Sequence, residues 1–392
     1  MVKLKNIYTE IKDGDWIESK DQSNEGIRLV QTGNIGVGVY LDKDNKAKFI
    51  SEKTFSHLKC TEIFEGDILI SRLPFPVGRA CLFPKIEEKA ITAVDCTIMR
   101  VNKEVCIPKY FVYYTRSNIY LNQINRFVAG TTRLRISRKN LENIKIFLPK
   151  LEVQNKIVEA LDKAQELINK RKEQIEALDE LVKSRFVEMF GSIILNNYNW
   201  KTVKLKDICS LKSGGTPTRN KPEYFRGNIP WITTVALGKN FIDENDAIEF
   251  ITQQAVDNSS TKLIKQGSLL FGMRVGVGKI SANTVPMCTN QDIMAITEID
   301  ASKYNLIFLK KVIEAYSEYF NTQKRGATIQ GIKSDTLKEI NIPIVKIEVQ
   351  NKFVEFVKEL DKVKLKVENS LKELEYNFDS LMQKAFKGEL FN

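Results

Sequence analysis

The feature that most constrains this chain of 392 residues is that it repeats itself. Val2-Lys-Leu-Lys-Asn-Ile7 returns as Val203-Lys-Leu-Lys-Asp-Ile208, and Gly66-Asp-Ile-Leu-Ile-Ser-Arg72 is echoed by Gly267-Ser-Leu-Leu-Phe-Gly-Met-Arg274. Ile27-Arg-Leu-Val-Gln-Thr32 has a looser echo in Ile229-Pro-Trp-Ile-Thr-Thr234, and Gly130-Thr-Thr132 one in Gly326-Ala-Thr328. The clearest match sets Glu152-Val-Gln-Asn-Lys-Ile-Val-Glu159 against Glu348-Val-Gln-Asn-Lys-Phe-Val-Glu355, identical at seven of eight positions. The offsets of 196 to 202 residues are too long for a solenoid unit and mean a duplicated domain. The matches gather at the edges and helical ends while the interiors diverge. One scaffold therefore carries two different surfaces.

Each half reads as a mixed domain followed by a long helix. Residues 1–150 contain short apolar runs between turn residues, such as Thr97-Ile-Met-Arg-Val101, which read as strands. Pro149 marks the exit, because the residue before proline is pushed away from helix. From Leu151 to about Phe190 there is neither Pro nor Gly. Ile157, Leu161, Ala164, Ile168, Ile175, Leu178, Val182 and Met189 recur at heptad-like steps, with Arg171 and Arg185 interrupting the stripe. Gly191 and Asn196-Asn197 end it. A second mixed domain spans 192–344, Pro343 repeats the part of Pro149, and 345–392 forms a second helix ended by Gly388. Its expected stripe is Phe356, Leu360, Val363, Val367, Leu374, Phe378, Leu381 and Ala385. Two helices of equal length, each with an apolar seam, predict an antiparallel pair ~60 Å long, with a domain at each end.

Composition narrows the partners. Sixty Lys and Arg against 49 Asp and Glu give a net charge of +11, which points to a polyanion, nucleic acid first. No run of 18 apolar residues exists for a membrane span, and the first residues lack an apolar signal core, so a cytoplasmic location is expected. The six Cys show no Cys-x-x-Cys spacing and read as reduced, mostly buried residues. The single His57 leaves no room for His-based metal cages.

Catalytic motifs are missing. Val275-Gly-Val-Gly-Lys279 fails as a phosphate loop, because Gly272 is one residue too far from Gly278 and Ile280 replaces the required hydroxyl. Gly33-Asn-Ile-Gly-Val-Gly38 lacks dinucleotide spacing and reads as a turn. Asn228-Ile-Pro-Trp231 has Ile where a base-flipping adenine methyltransferase has Pro, and reads as a strand start. No nuclease pattern is present.

Basic and polar clusters remain, and they recur in both halves. Arg126, Arg133, Arg135, Arg138 and Lys139 surround Gly130-Thr-Thr132 within an acid-free stretch. Lys324, Arg325, Thr328, Gln330 and Lys333 surround Gly326. Lys212, Thr216, Arg219, Lys221 and Arg226 lie in and after the loop Ser213-Gly-Gly-Thr-Pro-Thr218. Arg72 and Arg79 correspond roughly to Arg274 and Lys279. Gly, Thr and Arg loops can approach a phosphate backbone closely. Arg can pair bidentately with guanine, and Gln or Asn with adenine, with about 1–3 kcal/mol of discrimination each. With Thr132 included, these are the expected DNA-binding residues.

In this order of motifs the chain resembles the DNA-specificity subunits of type I restriction-modification systems, over essentially its full length. The resemblance rests on the domain-helix-domain-helix order, on Val203–Ile208, Ser213–Thr218 and Ile229–Ile232, and on the Gly-x-Thr turns. Pro149 and Pro343 before the two Glu-Val-Gln-Asn-Lys helices complete it. It implies an α+β fold class: two mixed α/β target-recognition domains in tandem, separated by two long helices forming an antiparallel coiled coil. Residues 1–150 and 192–344 would each read one half of an asymmetric, bipartite site in double-stranded DNA. The spacer helices 151–191 and 345–392 would fix the unread spacer and dock two methyltransferase (modification) subunits. Restriction/translocase subunits would join them. The chain itself would be non-catalytic and free of cofactors, with S-adenosylmethionine, ATP and Mg in partner subunits. The first domain departs from the pattern, lacking a clear Ser-Gly-Gly-Thr-Pro loop and Ile-Pro-Trp strand. Service to another restriction-modification class, or a self-contained DNA methyltransferase or nuclease, is the alternative.

Overall fold

A computed structural model describes residues 1–130, 133–326 and 330–391. The chain divides into two compact units, Met1–Glu173 with Glu368–Asn392, and Gln174–Val367.

In the first unit the apolar run Ile68–Ser71 is buried along its whole length. It lies between Cys96–Val101 and Ala80–Leu82 in an antiparallel four-stranded sheet whose other edge is Tyr8–Asp13. A second sheet contains Ile27–Val30 beside Ala90–Thr92, paired in parallel with Val30 opposite Thr92. Val2–Lys3 closes back on Lys145–Ile146, which explains why the repeated Val-Lys-Leu-Lys segment marks a domain edge.

The second unit repeats this plan. Leu269–Gly272 is flanked by Ile293–Thr297 and Ile280–Asn283, with Ser210–Ser213 and Phe241–Ile242 at the edges. Ile229–Ile232 runs parallel to Cys288–Thr289, and Thr202–Lys204 closes on Asn341–Pro343. The looser sequence echo between Ile27–Thr32 and Ile229–Thr234 is thus a true structural equivalence. So is the loop that the first half seemed to lack. Gly14 N donates to Cys96 O (2.8 Å) as Gly214 N donates to Ile293 O (3.1 Å). A Cβ on Gly14 would stand 2.3 Å from Thr92 Oγ1, and one on Gly214 would stand 2.3 Å from Thr289 Oγ1. Only glycine fits, so Asp13-Gly14-Asp15 is the first unit's version of Ser213-Gly214-Gly215.

Two long helices, Leu151–Phe190 and Ile347–Lys387, run through both units. They stop at Gly191 (φ +73°) and Gly388 (φ +78°), as glycine's tolerance of left-handed backbone requires. The repeated Glu-Val-Gln-Asn-Lys segment has a local cause. Gln154 is buried; its Oε1 accepts from Ile107 N (2.9 Å) and its Nε2 donates to Val105 O (2.9 Å) and Pro149 O (2.8 Å). Gln350 does the same with Asn305 N, Lys303 O and Val345 O, at 2.8 Å each. Each glutamine clamps the helix start to the loop before the domain's last helices.

Within each unit the two helices pack on one another. In the first, Ile157, Leu161 and Ile168 share a core with Phe378, Met382, Ala385 and Phe386. In the second, Phe186 and Phe190 meet Phe353 at ring-centroid distances of 5.3 and 5.5 Å, and Lys364 bridges to Asp179 at 2.7 Å. The Asp179 and Phe186 partners fall at decreasing numbers, so the pairing is antiparallel. The stripe differs from expectation at the start of the second helix. Phe353, Val354 and Val357 are the buried residues and Phe356 is only half-buried, because this end must cover the domain core as well as its partner helix. Val363, placed on the seam, is exposed.

Candidate nucleic-acid interface

Backbone hydrogen bonds align the two units residue by residue. Arg72 N donates to Asp95 O (2.9 Å) and Met273 N to Asp292 O (2.7 Å). Ile136 N donates to Arg72 O (3.2 Å) and Ile332 N to Met273 O (2.9 Å). The isolated bridge of Ala129 with Arg135 matches that of Arg325 with Gly331. In both units a basic Gly-containing loop is therefore stitched to the same sheet corner, next to the start of the strand that follows Asp95 or Asp292.

In the first unit much of this charge is balanced. Arg135 pairs with Asp95 at 3.0 Å, and Arg138 lies 3.7 Å from Asp13 and 3.5 Å from Glu142. Arg133, Arg126 and Lys139 are exposed and make no ion pair among the described residues. Two expected contacts prove to be interior groups. The Arg72 side chain is 6% exposed, donates to Val94 O and lies 3.5 Å from Asp13. Arg79 donates to Ile35 O (2.6 Å), Thr32 O (2.7 Å), Pro74 O (2.7 Å) and Pro76 O (3.0 Å). A guanidinium holding four loop carbonyls stabilises the fold and has no donor left for DNA. The pairing with the second half is also corrected. Arg79 does match Lys279, since Ser71 N bonds Arg79 O as Gly272 N bonds Lys279 O, but Arg72 matches Met273 and not Arg274.

In the second unit the same corner opens into a cleft of about 350 Å³ lined by Ser213, Arg274, Gln291, Arg325, Lys333 and Ser334, among others. It brings together Arg274, Arg325 and Lys333, which lie far apart in sequence. Arg274 is anchored by Asp292 at 2.9 Å and remains half-exposed. Arg325 and Lys333 are exposed and make no ion pair among the described residues. Gln330 is exposed and Lys324 half-buried at the rim. Thr216 Oγ1 donates to Gln291 Oε1. Lys279 is exposed on the neighbouring turn.

The remaining residues of the glycine-rich loop sit outside the cleft lining. Arg219 forks onto Glu249 (2.5 and 2.8 Å) and stacks over Phe225 (4.2 Å) and Trp231 (5.4 Å). That pairing holds the Glu249 carboxyl below the usual range. Lys212 pairs with Glu298 (3.0 Å), Lys221 donates to Tyr224 Oη (3.2 Å), and Arg226 is exposed. Thr132 and Thr328 lie outside the described residues.

Gln291 and Ser334 were not among the expected residues. The signal existed: Thr289-Asn-Gln-Asp292 aligns with Thr92-Ala-Val-Asp95 once the shared aspartate is recognised, and Gln291 stands where the first half has Val94.

Residues 1–177 and 197–376 match the family described as the type I restriction modification DNA specificity domain. The chain is 30% identical over 178 residues to the type I restriction enzyme MjaIX specificity subunit of Methanocaldococcus jannaschii, covering 45% of this chain and 40% of that one. It is 29% identical over 271 residues to the EcoR124I/EcoR124II specificity subunit of Escherichia coli, covering 64% and 63%. The matched stretches thus span less than two thirds of these two curated relatives. A solved chain from a study of complex assembly and conformational transition in a type I restriction-modification system superposes with a TM-score of 0.60 at 18% identity. That match covers 99% of this chain and 97% of the other, which places the fold. Because the family match falls once on each half and takes in most of the sequence, the chain belongs to the type I restriction-modification DNA specificity family.

Proposed function

We propose that this chain is the non-catalytic DNA-reading subunit of a type I restriction-modification complex. Each unit reads one half of an asymmetric, bipartite duplex site. The two continuous helices set the number of unread base pairs and dock two modification subunits. Those partners hold S-adenosylmethionine and methylate adenine, and restriction/translocase subunits supply ATP- and Mg-dependent cleavage. The boundaries of the reading domains are 1–150 and 192–344.

One observation carries this reading. The same sheet corner recurs in both units with the same backbone hydrogen bonds, yet it carries charge-balanced arginines in one and a basic, open cleft in the other. A scaffold that is kept while its polar surface is exchanged suits a pair of readers with different targets. Phosphate contacts from Arg133, Arg325 and Lys333 would orient the duplex, and groups held on the sheet corner would meet base edges.

The test is to map methylated adenines in the host genome with and without this gene. The expected result is loss of methylation at one bipartite motif. An unchanged methylation map would refute the reading.

A further inference from the structure

The cleft of the second unit contains a side chain built to read one base, and this rests on the function proposed above. Gln291 stands just before the strand Ile293–Thr297, whose first residue is fully buried, so its backbone sits on a rigid element. Asp292 N donates to Asn290 Oδ1 (3.2 Å), and Arg274 Nη2 donates to Gln291 O (3.4 Å) while its Nε is held by Asp292 (2.9 Å). The side chain is fixed too. Thr216 Oγ1 donates to Gln291 Oε1, which settles which end of the amide is oxygen. Nε2 donates to no other described residue, and the side chain is exposed at the cleft lining. Oε1 keeps a second lone pair. An amide so held offers one acceptor and one donor side by side, the complement of adenine N6–H and N7 in the major groove. Arg325 and Lys333, on the same cleft, are placed to neutralise the flanking phosphates.

We infer that Gln291 is the adenine-determining residue of the second unit, with Thr216 as its positioning residue. The first unit cannot make this contact, because the aligned position is Val94. The chain therefore demands an A·T pair at one position in one half of its site, through a group with no counterpart in the other half.

The experiment selects bound sequences from a randomised duplex pool, using the full chain with its modification subunits, in the wild type and in Gln291→Ala and Thr216→Val. The wild type should enrich a bipartite motif. Gln291→Ala should lose about tenfold or more of its preference for A·T at a single position of one half, with every other position unchanged. Thr216→Val should weaken the same preference partially. An unchanged motif in Gln291→Ala would overturn the inference. Loss of enrichment at all positions in both variants would overturn it too, because the pair would then be holding the cleft together and not reading a base. A wild type that enriches no motif would instead defeat the reading of the chain as DNA-specific, a result distinct from either of these.

Discussion

Arg79 donates through all three of its guanidinium nitrogens to carbonyls of two loops, whereas the aligned Lys279 is exposed on a glycine turn. Replacing Arg79 by Ala strips the charged donor from four carbonyls, and the expected cost is about 2–4 kcal/mol of unfolding free energy, read as a lower denaturant midpoint. Lys279→Ala should leave that midpoint unchanged. Arg325→Ala belongs to a different class. Its side chain supports no part of the described fold, so melting should be unaltered while duplex affinity falls and the slope of log K against log salt decreases by about one. An unchanged salt slope would remove Arg325 from the interface. The cysteines form a third group. Burial pushes the thiols of Cys81, Cys96, Cys106 and Cys209 up to about 12, and those of Cys60 and Cys288 up to about 11. A raised thiol pKa means little thiolate at pH 8, so the folded chain should alkylate slowly and release all six thiols only on denaturation. Rapid labelling of the native chain would contradict this.

Elements were legible where the sequence repeats a periodic or backbone-forced pattern. Both long helices and their stops could be read, because a 40-residue stretch without Pro or Gly followed by Gly has few other solutions. The strand Ile68–Ser71 could be read for the same reason: its apolar run is too short and too buried to be anything else. The rest needed partners distant in sequence. The Asp13-Gly14-Asp15 loop shares one glycine with its counterpart, and only the close approach of Thr92 and Thr289 shows that they are the same device. Phe353 was missed on the helix seam because the second unit's core, and not the partner helix alone, selects it. Arg72 and Arg79 looked like DNA contacts because a one-dimensional pattern cannot tell an arginine facing solvent from one spent on carbonyls. The Glu-Val-Gln-Asn-Lys segment was recognised as repeated, and its reason is the buried glutamine. Gln350→Ala would leave Asn305 N, Lys303 O and Val345 O unpaired where the second helix begins. The expected loss is about 2–4 kcal/mol, and hydrogen exchange should rise first around Lys303–Asn305. Protection unchanged there would show that the clamp is redundant.

For the whole molecule, the duplication accounts for features that have no reason singly. It explains why matches cluster at Val2–Ile7, Gly66–Arg72 and Glu152–Glu159 and their counterparts. The first segment closes a sheet edge, the second crosses the core, and the third carries the glutamine clamp. It also explains why the polar groups at the shared corner diverge, since nothing in the scaffold depends on Gln291 or Val94. Readers on a common frame should be exchangeable as blocks. The direct measurement is to replace residues 192–344 with the corresponding domain of a relative of different specificity and to map the adenines methylated by the assembled complex. The account predicts that one half of the bipartite motif changes to the donor's sequence while the other half stays as it was. A change in both halves, or in neither, would contradict it.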